Sequence, residues 1–172
     1  MTVPAGGARA VLPGDYHVHT SWSDGRGTVE EVVRRAAGLG LPEIGIAEHF
    51  TPRPGPDDDW WLRPERLADY VADVRAVAAV HDDVGVLVGL EAEYVDGQEA
   101  ELERYLSAWP FEVVVLGIHV VDGFAFDDPS LRGDERWDDP DALLAAYYRT
   151  VRRACEWGRF DIIAHIDYIG LW

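Results

Sequence analysis

The sequence predicts an α/β fold in which a parallel sheet is covered by helices. Three observations lead there. Short apolar runs alternate with amphipathic helical patterns along the chain. The apolar runs look buried on both faces, as strands of parallel sheets are. Each run also delivers a histidine or a carboxylate at its C-terminal end. These are His17 and His19, Glu48 and His49, Glu91 and Glu93, His119, and His165. A barrel of parallel strands would gather such ends on one rim, where active sites of these folds lie.

The elements follow in order. Residues 1–10 are small and are expected to be frayed. Val11 and Leu12 lead into a first strand, roughly 11–18. Thr28-Val29-Glu30-Glu31 is a capping box that starts a helix. Val29, Val32, Val33 and Ala36 form its buried stripe, and Gly38 and Gly40 end it. Strand two covers roughly 43–48. The stretch Phe50 to Arg63, rich in Pro, Asp and Trp, reads as a loop. Pro64 opens a second helix, with Leu67, Tyr70, Val71, Val74, Val77 and Ala78 facing inward. Strand three covers roughly 84–91, a shorter helix 98–107 and strand four 112–118. Residues 121–138 read as a second long loop. Asp139-Pro140 caps a helix to about Trp157, with Leu143, Leu144, Tyr147, Val151 and Ala154 inward and Gly158 closing it. Strand five covers roughly 160–165. That makes about five βα units.

Bulk properties narrow the function. At 172 residues, with 48% hydrophobic content and seven Trp, one domain spanning 1–172 is expected. The net charge of −17 argues against nucleic acid and against an anionic membrane as partners. An anionic substrate would need bound cations to reverse the local field. All fifteen basic residues are Arg, which we read as coding bias. The single Cys155 excludes a disulfide within the chain and reads as a small buried hydrophobe. Met1 to Gly14 carry no signal-peptide pattern, and no run approaches a membrane span. A cytoplasmic protein is the expectation.

The chemistry starts at Asp15-Tyr16-His17-Val18-His19. Side chains two apart on a strand share a face, so His17 and His19 present two imidazoles to one spot. Alone, the pair could equally be a surface or core histidine pair. The recurrence at four further strand ends favours a metal site. The donors are nitrogen and oxygen with no cysteine, which suits Zn, Mn or Fe. Glu91, on a strand expected in mid-sheet, is the natural bridge between ions.

Asp15-Tyr16-His17-Val18-His19-Thr20 with Ser23-Asp24-Gly25, Ala47-Glu48-His49, Gly89-Leu90-Glu91-Ala92-Glu93-Tyr94, Gly117-Ile118-His119 and Ile163-Ala164-His165-Ile166-Asp167 resemble the successive motifs of the PHP (polymerase and histidinol phosphatase) superfamily. Their order and spacing are most similar to its histidinol-phosphate phosphatases. The resemblance covers about 14–172. It implies a distorted (β/α)7 barrel, here incomplete, and two or three divalent ions. His17 and His19 would hold one ion, Glu91 would bridge to a second held by His119 and His165, and His49 with Asp24 would hold a third. The family's final Asp-x-His motif does not occur after His165. The expectation is therefore a C-terminally truncated domain, or one whose barrel a homodimer or a second chain completes.

What the resemblance implies is metal-dependent hydrolysis of histidinol phosphate to histidinol and phosphate, a step of histidine biosynthesis. Glu91, His119 and Glu48 are expected to carry catalysis, Glu48 by orienting its neighbouring histidine. Glu93 reads as a support or a rim residue. Arg53, Arg63, Arg132 and Arg136 are loop candidates to clamp phosphate, or else they neutralise Asp57-Asp58-Asp59 and Asp127-Asp128. Trp60, Trp61, Phe124 and Phe126 could stack on an imidazole ring or pack the loops. Arg53, Trp60, Trp61 and Arg132 are assigned to substrate. His81 reads as a helix-end residue outside the site. The alternatives are another PHP-type phosphoesterase, or a non-catalytic half-domain with a partial metal site.

Overall fold

The computed structural model describes residues 14–55 and 60–171. In chain order the elements are β1 (Gly14–Val18), α1 (Val29–Gly38), β2 (Glu43–Phe50), α2 (Leu67–Ala78), β3 (Gly85–Glu93), α3 (Glu99–Ala108), β4 (Val113–Gly117), the hairpin strands β5 (Val120–Val121) and β6 (Phe124–Ala125), α4 (Pro140–Trp157) and β7 (Ile162–Ile163). The five sheet strands run in the order β1-β2-β3-β4-β7, every neighbouring pair parallel. The sheet curls into an open half-barrel. The lead-in at Val11 and Leu12 and the acidic triplet Asp57-Asp58-Asp59 lie outside the described residues.

Strand parity divides the sheet into two faces. Ile44, Ile46, Val88, Leu90 and Leu116 pack against helix residues Val33, Leu67, Tyr70 and Val74 in the main core. The concave face carries smaller residues, with Ala47, Val113, Val115 and Ala164 in a separate cluster. The Tyr70 hydroxyl lies 2.7 Å from the Ile46 carbonyl and 2.8 Å from that of Gly89, which ties α2 to β2 and β3.

Most helix stripes follow the predicted periodicity. The capping box of α1 is formed in both directions: Glu31 N–H donates to Thr28 Oγ1 and Thr28 N–H to Glu31 Oε2. Helix α4 differs in detail. Leu144 is 37% exposed, and Ala146 and Thr150 take the inward positions beside Leu143, Tyr147, Val151 and Ala154. Cys155 is exposed, not buried, because it follows the inward Ala154 by one residue, about 100° around the helix. The stretch read as a loop over 121–138 takes in all of the β5–β6 hairpin but Val120, and two 3₁₀ turns, Pro129–Leu131 and Glu135–Asp138. Asp128 and Asp134 start these turns by accepting the N–H of Ser130 and Arg136.

Candidate metal centre

Glu91 is the hub. It sits on the concave face of β3, paired with His49 of β2 on one side and Val115 of β4 on the other. Its carboxylate is 1% exposed. His17 Nε2 is 3.1 Å from Oε2, His19 Nε2 3.5 Å and His49 Nδ1 2.6 Å. On the other oxygen, Oε1, His165 Nε2 lies at 3.1 Å and His119 Nε2 at 4.0 Å. All five motif histidines therefore converge on one carboxylate.

An irregularity in β1 makes this possible. Asp15 pairs with Ile44, but Val18 pairs with Ile46, so three steps on β1 match two on β2. Val18 thereby joins the main core, and His17 and His19 turn to the concave face. A bulge re-aims side chains in this way. Gly117 clears space beneath the cluster. A Cβ there would meet Glu91 Oε1 at 2.7 Å and His119 Cε1 at 2.6 Å. Gly25 is equally constrained: its Cβ would lie 2.4 Å from the His19 carbonyl oxygen, so the turn carrying Asp24 closes only on glycine. His165 sits at φ 21, a rare backbone for a non-glycine residue of the kind found where a side chain must be aimed.

The donor set fits divalent ions. His19 Nδ1, His49 Nδ1, Glu91 Oε2 and His165 Nδ1 are buried and have no hydrogen-bond partner. His49 Nδ1 approaches Glu91 Oε2 closely but not along a hydrogen-bond direction. Each such orphan costs about 1–3 kcal/mol, a cost that bound cations would offset for the atoms that face the cluster. Ligand atoms fall into three groups, each within 4.8 Å: His17, Glu91 and His165; His19, Asp24 and His49; His49, Glu91 and His119. Unlike the partition expected from the motifs, His17 is grouped with His165, and His19 joins Asp24 and His49. The His17 and His19 rings stand 84° apart. Asp24 is 47% exposed and 3.8 Å from His49 Nε2.

Charge reinforces the arrangement. Burial pushes the Glu91 carboxyl up, but the close imidazoles of His165, His17 and His49 outweigh it and hold the group well below the usual range. Burial and the neighbouring His49 lower His19 to about 4, which keeps it neutral and ready to ligate. His119 is opposite. Burial lowers it, but the Glu93 carboxylate raises it further, to about 9.

The PHP domain profile matches residues 15–171. The chain belongs to the PHP domain family. Among curated relatives it is 29% identical, over 155 residues, to a probable histidinol-phosphatase of Deinococcus radiodurans, with 89% of this chain and 60% of that protein covered. It is 25% identical over 164 residues to a probable histidinol-phosphatase of Schizosaccharomyces pombe, covering 85% and 52%. The chain thus spans between half and two thirds of the length of these relatives. A solved structure of histidinol phosphate phosphatase from Lactococcus lactis, complexed with zinc, L-histidinol and phosphate, superposes with a TM-score of 0.74 at 22% identity, over 91% of this chain and 59% of that one. A putative histidinol phosphatase from Listeria monocytogenes gives 0.70 at 20%, over 90% and 67%. At these identities the two structures establish the fold.

Within this PHP domain, several expected residues sit elsewhere. Glu48 is not in the cluster. Adjacent strand residues face opposite ways, so Glu48 turns into the main-core side while His49 faces the ions' place. Its buried carboxylate accepts from Thr20 N at 2.9 Å, Thr20 Oγ1 at 2.6 Å and Ser23 Oγ, which holds the turn carrying Asp24. Burial raises it to about 7 against those hydrogen bonds. The residue that grips one of the clustered histidines is Glu93. It accepts His119 Nδ1–H at 2.6 Å, His119 N–H at 2.9 Å and Val120 N–H at 3.0 Å.

The arginines are not brought to the cluster. Arg53 pairs with Glu101 at 2.6 Å and is 70% exposed. Arg132 lines a separate groove with Trp137, Leu143 and Ile169. Arg136 pairs with Asp134, and Arg63 donates to the Gly55 carbonyl. Phe124 and Phe126 are core residues, 1% exposed, against Trp137 and Tyr147. Trp60 and Trp61 do reach the site, with ring centroids 5.2 and 5.7 Å from His49. His81 pairs with Glu30 on the surface. The sequence gives Tyr168 no role, and Asp127 only that of a possible partner for a loop arginine. Tyr168 packs 4.8 Å from His165, and Asp127 lines the histidine cavity, its carboxyl raised by burial against the pull of His119.

Proposed function

We propose that this PHP domain catalyses metal-dependent hydrolysis of a small phosphate monoester, with histidinol phosphate as substrate and histidinol and phosphate as products. The convergence of five histidines on Glu91, with four buried donor atoms left unpartnered, carries the reading. Two or three divalent ions fit the three donor groups. The Lactococcus complex favours zinc, and manganese or iron would suit the same donors. Such ions polarise phosphoryl oxygens and make a water nucleophilic near neutral pH.

The chain's own residues shape the rest. Glu91 would be shared between ions, and Glu93 fixes the His119 proton on Nδ1, which would leave Nε2 for ligation. Glu48 holds the turn that presents Asp24. Trp60 packs edge-on against His49 and lines the same cavity. No arginine lines the histidine cavity among the described residues, so the phosphate's charge is left to the cations. The same cations resolve the conflict between a −17 chain and an anionic substrate. Among the described residues β7 is an outer strand of the sheet, and further strands, from a longer chain or a second copy, would pair there.

The test is phosphate release from histidinol phosphate by protein purified without chelator and supplied with zinc or manganese. Release that EDTA stops, and that His17→Ala abolishes, supports the proposal. Full metal loading with no release from histidinol phosphate or p-nitrophenyl phosphate would sink it.

A further inference from the structure

The turn that carries Asp24 is held by two elements. One is β2, whose Glu48 carboxylate accepts from Thr20 and Ser23. The other is α2, and that contact is made by Trp22. The indole Nε1–H donates to Asp73 Oδ2 at 2.7 Å. The Arg66 guanidinium lies 4.4 Å from the indole centroid, and the Tyr70 ring stands edge-on at 6.0 Å. Arg66, Tyr70 and Asp73 are spaced i, i+4 and i+7, counted from the N-cap of α2, so they form one stripe of that helix. Trp22 lies along the stripe and meets all three.

The stripe itself is anchored. Tyr70 is fully buried, and its hydroxyl bonds the Ile46 and Gly89 carbonyls. Those carbonyls belong to the strands that carry His49 and Glu91. Trp22 thus ties the turn to the site's own strands by a route separate from Glu48. The turn needs such a tie. Asp24 is exposed, and its carboxylate lies 3.8 Å from His49 Nε2, beyond hydrogen-bond range. That contact does not fix it in place. Trp22, two residues earlier, is partly buried and packs against the main core. A tilt of the indole would move a carboxylate that has to meet an ion within about 0.2 Å of its proper distance.

We infer that Trp22, Asp73 and Arg66 form a positioning latch for Asp24, which sets how tightly the group of His19, Asp24 and His49 holds its ion. None of the three lines the histidine cavity, so they act through the turn and not on ion or substrate. Asp73 accepts the indole proton, and its charge strengthens that bond. Arg66 covers a face of the ring and keeps it from swinging out. The inference rests on a divalent ion binding at that group, as proposed above. It goes further in placing control of that one ion on α2, a helix that supplies no member of the three donor groups.

The test is zinc titration of metal-free protein against a fluorescent chelator, which reads the affinity of each equivalent apart from any activity. Asp73→Ala removes the acceptor, and Asp73→Asn keeps an uncharged one. Trp22→Phe keeps a ring without the donor, and Asp24→Asn removes the carboxylate that the latch is to place. The latch predicts one equivalent about 10- to 100-fold weaker in Asp73→Ala and in Trp22→Phe, with the others unchanged within about twofold. Asp73→Asn should recover most of the loss. Trp22→Phe added to Asp24→Asn should cost nothing further, because both act on one ligand. Asp73 is partly exposed, so its two variants read the latch even if Trp22→Phe fails to fold. An equal loss of all equivalents together with a lower Tm of the metal-free protein, or losses that add to that of Asp24→Asn, would overturn the inference. If the wild type takes up zinc and the variants match it, the latch falls and the metal reading stands. If one equivalent weakens selectively but the wild type hydrolyses no phosphate ester, the latch stands and the phosphatase reading falls. A wild type that binds no zinc overturns both.

Discussion

Replacing Glu93 with Gln should change how metal affinity depends on pH, not only its size. Glu93 and His119 are 3% and 4% exposed, and their side chains meet at 2.6 Å. In the metal-free protein this raises His119 from its ordinary value of 6.5 to about 9. A metal must displace the proton on Nε2. At about pH 7.5 that costs about 2 kcal/mol, from ~1.5 pKa units at ~1.36 kcal/mol each. The sign follows: binding strengthens as pH rises from about 6.5, by up to tenfold per unit, and levels off near 9. Gln keeps an acceptor for the two backbone N–H groups but removes the charge, so His119 falls back and the proton penalty largely disappears. Gln also loses the carboxylate that orients the ring and raises its basicity, worth about 10- to 100-fold in affinity. The two effects nearly cancel close to neutral pH and separate at high pH. Competition with a fluorescent zinc chelator across about pH 6.5 to 9 reads this directly. The ratio of variant to wild-type Kd should grow from near unity to about 10- to 100-fold. Parallel pH curves for the two proteins would refute the reasoning, since they would mean that Glu93 does not control the protonation of His119.

Three further substitutions probe the scaffold. Glu48 is raised from 4.5 to about 7, so the folded chain holds a proton that the unfolded chain releases, and stability falls as pH rises from about 4.5 to 7. Glu48→Gln should abolish that slope in urea denaturation while keeping most contacts to Thr20 and Ser23. Gly117→Ala drives a methyl into Glu91 and His119. It should destabilise by about 1–3 kcal/mol and reduce bound zinc, measured by thermal unfolding and elemental analysis on one preparation. Tyr70→Phe removes a buried hydroxyl between two strand carbonyls. It should lower stability by about 1–2 kcal/mol in denaturant titrations and leave metal content intact.

Much of this architecture is legible in the sequence because it rests on local periodicity. Strand–helix alternation gave the parallel sheet, and the histidines at strand ends marked the concave rim. The misplaced residues show where local reading stops. Adjacency alone makes Glu48 look like a support of His49, yet the two-residue period of a strand puts neighbours on opposite faces. The same rule, applied to Glu91, points to Glu93. The aim of His17 and His19 depends on a register shift against β2, which no single strand reveals. The pairing of Arg53 with Glu101 joins a loop to α3, and the burial of Phe124 and Phe126 depends on α4 packing over the hairpin. Asp127 carried no motif, and its place in the histidine cavity exists only in the folded chain.

The central claim is that Glu91 gathers divalent ions, and counting them tests it most directly. Protein purified without chelator, in parallel with Glu91→Gln, is analysed for zinc, manganese and iron per chain by elemental mass spectrometry. The structure predicts two or more equivalents in the wild type and a loss of at least one in the variant. A wild type with less than about one equivalent, or a variant that retains the full complement, would contradict it.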